Sequence, residues 1–536
     1  MTDQNPGEAQ RMHGDGDETS PPVPHVAVVI VGAGFAGLGA AIRLRQEGHR
    51  DLAVLEQADD VGGTWRDNTY PGCACDVPSR LYSFSFAPNP DWSRRFAPQG
   101  ELERYLRRCA HDHGLMSCLR LGVALQQASW DPGRHRWILQ TSRGPLTAGV
   151  LVMAQGPLSE PAVPSLPGME DFAGEAFHSA RWRHDLDLRD KSVAVIGTGA
   201  SAIQFVPHLQ RVARRVTVFQ RNPPWIMPRH DRPIPAWRRR LYRLAPPLHR
   251  LARGVEYLRR EAGLPVLLGS RTMADLGRKE ALAHLHRQVA DPALRVKLTP
   301  DYELGCKRIL LSDDYYPALT RPNVEVVTDP ITTVTRESVI TASHPARDES
   351  AHPADVLIFG TGFRVTDATF TQCIMGADGR SLDETWRGSP QAYLGTTVAG
   401  FPNLFLMAGP NTGVGHTSLI YIIESQINYL LDCLRVMAER GLAAVEVRAD
   451  VQASYNAALQ RRMAGTVWAA GGCTNWYMDS QGRVTAIWPE PTWRFRRRTR
   501  TFDPRPYTLT PAHGARPGPA PDHPDRTLVR HAEPGP

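Results

Sequence analysis

Three continuous apolar runs end in glycine along this chain. They are residues 26–37 (VAVVIVGAGFAG), 192–202 (SVAVIGTGASA) and 354–363 (ADVLIFGTGF). Unbroken Val and Ile stretches predict strands buried on both faces, as in a parallel sheet covered by helices. LGAAIRLRQEG follows the first run and IQFVPHLQRVA follows the second; both have helical period. Each leads to a further short strand, LAVLEQ and RVTVFQR, so the pattern predicts two βαβ units. Residues 225–300 break this rhythm. They are rich in Arg and Leu, as in RRLYRLAPPLHRLARGVEYLRREAG, and predict a helical insertion. Its arginines suit a nucleic-acid or membrane-facing patch, but without an interleaved aromatic stripe a solvated helical face is the expectation.

Composition narrows the class little. The chain has 536 residues, 42% hydrophobic and 22% charged, ordinary for a globular protein of two or three domains. A net charge of +7 over that length does not call for nucleic acid. The eight cysteines are scattered without a CxxC pair. This argues against a disulfide framework, a zinc site or a dithiol centre, and predicts reduced thiols in a cytoplasmic protein. The polar, acidic start is unlike a signal peptide. The long uncharged stretch 388–423 is broken by prolines and glycines, so no membrane span is expected. Residues 1–24 and 504–536 are expected as disordered tails.

The glycines carry the first chemistry. Gly32, Gly34 and Gly37 form GxGxxG between strand and helix, where a pyrophosphate can meet the free N–H groups of a helix start. Glu56 closes the next strand, where an acid can bond ribose hydroxyls. The second motif is Gly197-Thr198-Gly199-Ala200-Ser201-Ala202. Its next strand ends in Gln220 and Arg221 rather than an acid. Arginine can clamp a 2′-phosphate that a carboxylate would repel, so this site is expected to take NADPH. Two such sites in one chain indicate a flavoprotein with FAD in the first and NADPH in the second. The expected class is α/β, with two Rossmann-like dinucleotide-binding domains and the helical insertion. The FAD domain is expected in two stretches of chain, 25–160 and 355–503. Between them lie a linker at 161–190 and the NADPH domain at 191–354.

Residues 172–182, FAGEAFHSARW, read F-x-G-x-x-x-H-x-x-x-W just before the second glycine motif. This resembles the fingerprint of the type I Baeyer–Villiger monooxygenases, within the class B flavin monooxygenases. GGTWRDNTYPGCACD at 62–76 resembles a second signature of that family. Further matches are Cys306-Lys307-Arg308, residues 355–363, Gly409-Pro410-Asn411 and Asn475-Trp476-Tyr477. The resemblance spans roughly 25–500. Two positions depart from it: Arg183 follows the fingerprint Trp, and the third run ends GTGF where ATGF is commoner.

The resemblance implies FAD- and NADPH-dependent insertion of one O₂ oxygen beside a ketone carbonyl, giving an ester or lactone. Arg308 is then the catalytic cation, which stabilises the anionic oxygen species and cannot lose its own proton. Asp76 is its positioning partner. Lys307 would face the 2′-phosphate with Arg221. Thr64, Trp65 and Tyr82 would approach the flavin, and Trp476 the bound NADP(H). His178 and Trp182 are expected to be structural, and Cys73 and Cys75 to have no redox role. No metal is expected. The alternatives are an N- or S-oxygenating flavin monooxygenase and, in another class, a non-catalytic NADP(H)-binding redox sensor. The substrate is a small molecule together with O₂; its identity and the oligomeric state are not encoded in any motif.

Overall fold

The computed structural model describes residues 23–343, 348–365 and 369–512. Two parallel-core sheets carry the two glycine motifs. The first has eight strands. At its centre the strand His25–Val31 pairs in parallel with Leu52–Glu56 on one side and Gly144–Met153 on the other. Val29 and Ile30 are fully buried there, as an all-apolar run requires. An antiparallel extension, Leu125–Asp131 and Arg136–Thr141, continues the sheet, with Trp130 facing Trp137 across the pair. The strand Leu404–Leu406 returns late in the chain to pair with Gly144–Met153. Helix Leu419–Arg440 then packs on helix Phe35–Gln46 and covers one face.

The second sheet has five parallel strands. They run in the order Val324–Val327, Arg215–Phe219, Ser192–Ile196, Val356–Phe359 and Glu175–His178. Val356–Phe359 therefore belongs to this sheet, so the chain leaves it a few residues beyond the boundary expected at 354/355. The third apolar run is the strand between the second glycine strand and the fingerprint. The insertion folds as five helices, Ala236–Leu244, Pro246–Glu261, Leu264–Leu267, Arg271–Gln288 and Pro292–Leu298.

One expected tail is corrected. Residues 504–512 are ordered: Tyr507–Pro511 pairs antiparallel with Leu442–Val447. The anchor is Tyr507, buried, whose hydroxyl lies 2.9 Å from that of Thr397 and 2.8 Å from that of Tyr429. A single aromatic side chain with satisfied polarity outweighs the Pro- and Arg-rich composition around it. Residues 1–22 and 513–536 lie outside the described residues.

Candidate active site

At the first glycine turn the backbone leaves no room for side chains. Gly32 has φ +104°, and a Cβ there would lie 2.7 Å from the Ala154 carbonyl oxygen. A Cβ on Gly37 would come within 1.8 Å of the Gly32 carbonyl oxygen, so only glycine lets this helix start against its strand. Gly34 instead faces Gly63, where a Cβ would be 3.2 Å from the Gly34 Cα. Two glycines opposite one another form a slot bare of side chains beside a helix N-terminus, which fits a pyrophosphate. Glu56 is buried; its carboxylate accepts from the Ala33 and Ala58 N–H groups at 2.8 and 3.1 Å and pairs with Arg66 at 3.1 Å.

The second turn opens into a cleft of about 1100 Å³. Gly197 (φ +103°) crosses beneath Gly360, whose carbonyl oxygen is 2.7 Å from where a Cβ would be. Gly197, Thr198, Gly199, Ala200 and Ser201 line the cleft wall, with Arg221 beside them. Lys307 lines the same wall; its Nζ donates to Asn222 Oδ1 at 3.1 Å and lies 4.9 Å from the Tyr302 ring centre. Burial, followed by the Arg221 charge, lowers the Lys307 pKa. Two cations set against each other make a site for a multiply charged anion.

Across the cleft stands the 62–76 signature. Trp65 donates through Nε1 to the Tyr82 hydroxyl at 3.2 Å, and Thr64 starts the short helix that carries it. Tyr70 and the Ala74 N–H both donate to Gln204 Oε1, at 3.1 and 3.2 Å, and Gln204 Nε2 donates to the Ala74 carbonyl at 2.9 Å. Gly72 (φ +81°) packs so close to the Gln204 carbonyl that a Cβ would be 2.6 Å away. The Tyr-Pro-Gly turn is thereby clamped onto the helix after the second glycine motif, Ala202–Val212. That clamp presents Asp76 to Arg308. Arg308 donates from Nε and Nη2 to Asp76 Oδ2, at 2.8 and 2.7 Å. Both side chains keep more than a quarter of their surface open to the cleft. Burial works to raise the Asp76 carboxyl, but the Arg308 charge and hydrogen bonds outweigh it and hold it below the usual carboxylate range. The Asp76 charge raises the Arg308 pKa in turn, so the pair is ionised at neutral pH.

Thr64, Trp65, Asp76, Tyr82, the 197–201 turn, Arg221, Lys307, Arg308 and Trp476 thus line one cleft. Gly32, Gly34, Gly37, Glu56 and Gln220 are not among its lining residues. Gln220 is buried beneath the wall and donates to the Lys297 carbonyl at 2.7 Å. Trp476 is 43% exposed against Tyr477, with ring centres 4.2 Å apart.

The fingerprint also finds its physical basis. Phe177 and Phe205 pack on Trp182 with centroids 5.5 and 5.3 Å away. A Cβ on Gly174 would be 2.3 Å from the Asp355 carbonyl oxygen. His178 ends the edge strand, buried; its Nδ1 accepts from the Ala180 N–H at 3.1 Å and its ring meets Phe363 edge-on. It does not line the cleft.

The cysteine reading needs correction. Cys306 and Cys473 form a disulfide across a sequence separation of 167 residues. No local spacing signals such a pair, because folding alone brings the two segments together. The bond ties the residue before Lys307-Arg308 to the segment bearing Trp476. Cys73 and Cys75 stay free and buried; burial pushes the Cys73 thiol up to about 12 and raises Cys75 likewise, which keeps both protonated. Sequence reasoning also missed Gln155, Thr417 and Thr485. Each lines the cleft with a buried side-chain oxygen that has no partner among the described residues. Orphaned polar atoms at a cleft wall fit the polar edge of a bound cofactor.

Known proteins are similar along nearly the whole chain. A family model described as pyridine nucleotide-disulphide oxidoreductase matches residues 26–243. A Baeyer–Villiger monooxygenase of Streptomyces coelicolor is 50% identical, covering 91% of this chain and 93% of its own length. One from Pseudomonas aeruginosa is 47% identical, covering 91% and 92%. Among solved structures, cyclohexanone monooxygenase from Rhodococcus sp. Phi1 bound to NADP+ superimposes with TM-score 0.81 at 26% identity, covering 92% of this chain and all of that one. OTEMO in complex with FAD and NADP gives 0.82 at 26%, covering 91% of this chain and all of its own. With a second glycine turn and an Arg308–Asp76 pair lining one cleft, and half of the aligned positions shared with a relative that covers 91% of the chain, the chain belongs to the Baeyer–Villiger monooxygenase family.

Proposed function

We propose that this chain uses bound FAD and NADPH to insert one oxygen of O₂ beside a ketone carbonyl, releasing an ester or lactone, while the two electrons of NADPH reduce the other oxygen to water. When bound, the two cofactors supply the redox chemistry with O₂. The Gly34–Gly63 slot would hold the FAD pyrophosphate and Glu56 the ribose. The Gly197–Ser201 turn would hold that of NADPH, with Arg221 and Lys307 on its 2′-phosphate. The observation that carries the reading is Arg308, a permanent cation in the wall shared by both halves. It offers positive charge where negative charge develops on oxygen, and Asp76 fixes its guanidinium so that no reorientation is needed during reaction. Protonated Cys73 and Cys75 leave no thiolate to compete.

The test is Arg308→Ala. Product formation from a panel of ketones falls about 10²–10³-fold, the typical loss of one preorganised charge partner, while flavin content is retained. Arg308→Lys rescues little, because an ammonium lacks the planar fork held by Asp76. Mass spectrometry of products from ketones, amines and sulfides locates the oxygen. Ester yield undiminished in the Ala variant, or oxygen found only on nitrogen or sulfur, would overturn the proposal.

A further inference from the structure

The insertion carries apolar surface that the cleft does not use. Trp237, Leu241 and Leu244 lie on helix Ala236–Leu244 at spacings of four and three. Leu248, Leu251, Val255 and Leu258 lie on Pro246–Glu261 at spacings of three, four and three. Each set shares one helix face. All seven are exposed, from 39% at Leu241 to 73% at Leu244. The opposite faces are anchored to the body of the protein. Tyr257 stacks on Tyr421 at 4.8 Å, Arg80 lies over the Tyr242 ring and Arg253 donates to Ser83 Oγ at 3.2 Å. Anchoring on that side holds the stripe outward, so its exposure is not a loose helix turned the wrong way.

Charge around the stripe is one-sided. Residues 236–261 hold eight arginines and two glutamates. Glu256 pairs with Arg95 and Arg260, and Glu261 with His416, so neither glutamate neutralises the outer rim. Arg240, Arg250 and Arg259 are exposed and have no carboxylate partner among the described residues. We propose that these two consecutive helices dock on an anionic lipid bilayer surface, with their exposed apolar faces in the headgroup–acyl boundary and the arginines on lipid phosphates. A basic amphipathic helix with Trp and Leu on its apolar face has this chemistry. A second copy of the chain fits worse, since a symmetric contact would set arginine rim against arginine rim. The acidic residues 1–22 offer only Met1 and Met12 as large apolar groups to cover seven. The inference rests on the insertion alone and does not depend on the substrate.

The full-length flavin-loaded protein is sedimented with phosphatidylcholine vesicles and with phosphatidylcholine–phosphatidylglycerol vesicles. It partitions onto the anionic vesicles at least about tenfold better, since each arginine near such a surface is worth about fivefold, and added salt reverses this. Leu251→Ser with Leu258→Ser, and separately Arg240→Glu with Arg259→Glu, each cut partitioning about tenfold or more while flavin content and NADPH oxidation in solution stay unchanged. Partitioning that is absent, indifferent to headgroup charge or untouched by both variants overturns the proposal. So does a dimer in sedimentation velocity that the Leu variant dissociates, which would assign the stripe to self-association.

Discussion

Both glycine turns cross under a backbone carbonyl, whose oxygen would lie the same 2.7 Å from a Cβ, but at the first the helix start is packed so tightly that a methyl group cannot enter, whereas at the second the helix start takes a methyl and the turn lines an open cleft. Gly37 stands against the Gly32 carbonyl, whereas the matching position of the second turn is Ala202, fully buried with Gly360 opposite its methyl. The first turn's acid, Glu56, is occupied by Ala33, Ala58 and Arg66. The second has no acid, and Arg221 and Lys307 point where a phosphate can reach them. One backbone plan thus serves two uses. A sealed turn suits a resident cofactor that need not leave, and an open, cation-lined turn suits one that exchanges.

Steric closure at the first turn gives the largest effect. Gly37→Ala must displace the Gly32 carbonyl or the helix, at about 3 kcal/mol or more, and the protein purifies with little or no flavin. Ala202→Gly at the second turn keeps flavin content and costs about 1 kcal/mol in thermal unfolding. Equal flavin content in the two variants would erase the distinction.

The disulfide sharpens the comparison from the open side. Cys473→Ser releases the tether between the Lys307-Arg308 segment and Trp476. It lowers stability by about 2–4 kcal/mol, read by denaturant unfolding, and raises the KM for NADPH without loss of flavin. A fall in flavin content instead would place the bond's effect on the sealed turn.

Arg221→Ala lowers the preference for NADPH over NADH by about tenfold, the value of one charge-assisted hydrogen bond of about 1.5 kcal/mol. Glu56→Gln leaves that preference intact. If Arg221→Ala keeps full discrimination, the phosphate lies elsewhere on the wall.

The smallest effect is in pH. Free Lys307 loses its proton below the ordinary lysine value of about 10.4, because burial and Arg221 lower its pKa. A bound 2′-phosphate favours the charged form. NADPH affinity therefore weakens as pH rises through this depressed value, while NADH affinity does not. Arg221→Ala removes one lowering cause and moves that limb to higher pH. An identical alkaline limb for both cofactors would exclude Lys307 from the phosphate site.

The helical insertion and the two turns were readable to different depths. Helical period in residues 236–261 was plain, but a solvated face was expected. Periodicity reports which residues share a face, and only packing reports which face turns inward. Tyr257 on Tyr421 settles that, and the Leu stripe is left outside. The composition of residues 504–512 suggested a tail, and a distant pair of hydroxyls made it a strand.

By itself the sequence determined the two glycine turns, the missing acid beside Arg221, the fingerprint and the pairing of Asp76 with Arg308. The turns follow from a few adjacent backbone angles and contacts, such as Gly32 against Gly37, and local sterics are written in local residues. The fingerprint and the ion pair were legible through their resemblance to a family pattern. Only the tertiary structure decided that Cys306 meets Cys473, that Gln204 clamps the Tyr70–Ala74 turn, that Leu404–Leu406 returns to the first sheet and that Gln155, Thr417 and Thr485 are left unpartnered on the cleft wall. Each of these joins or exposes segments far apart in the chain. Which distant groups become neighbours depends on the packing of the whole core, and no short stretch of residues carries that information.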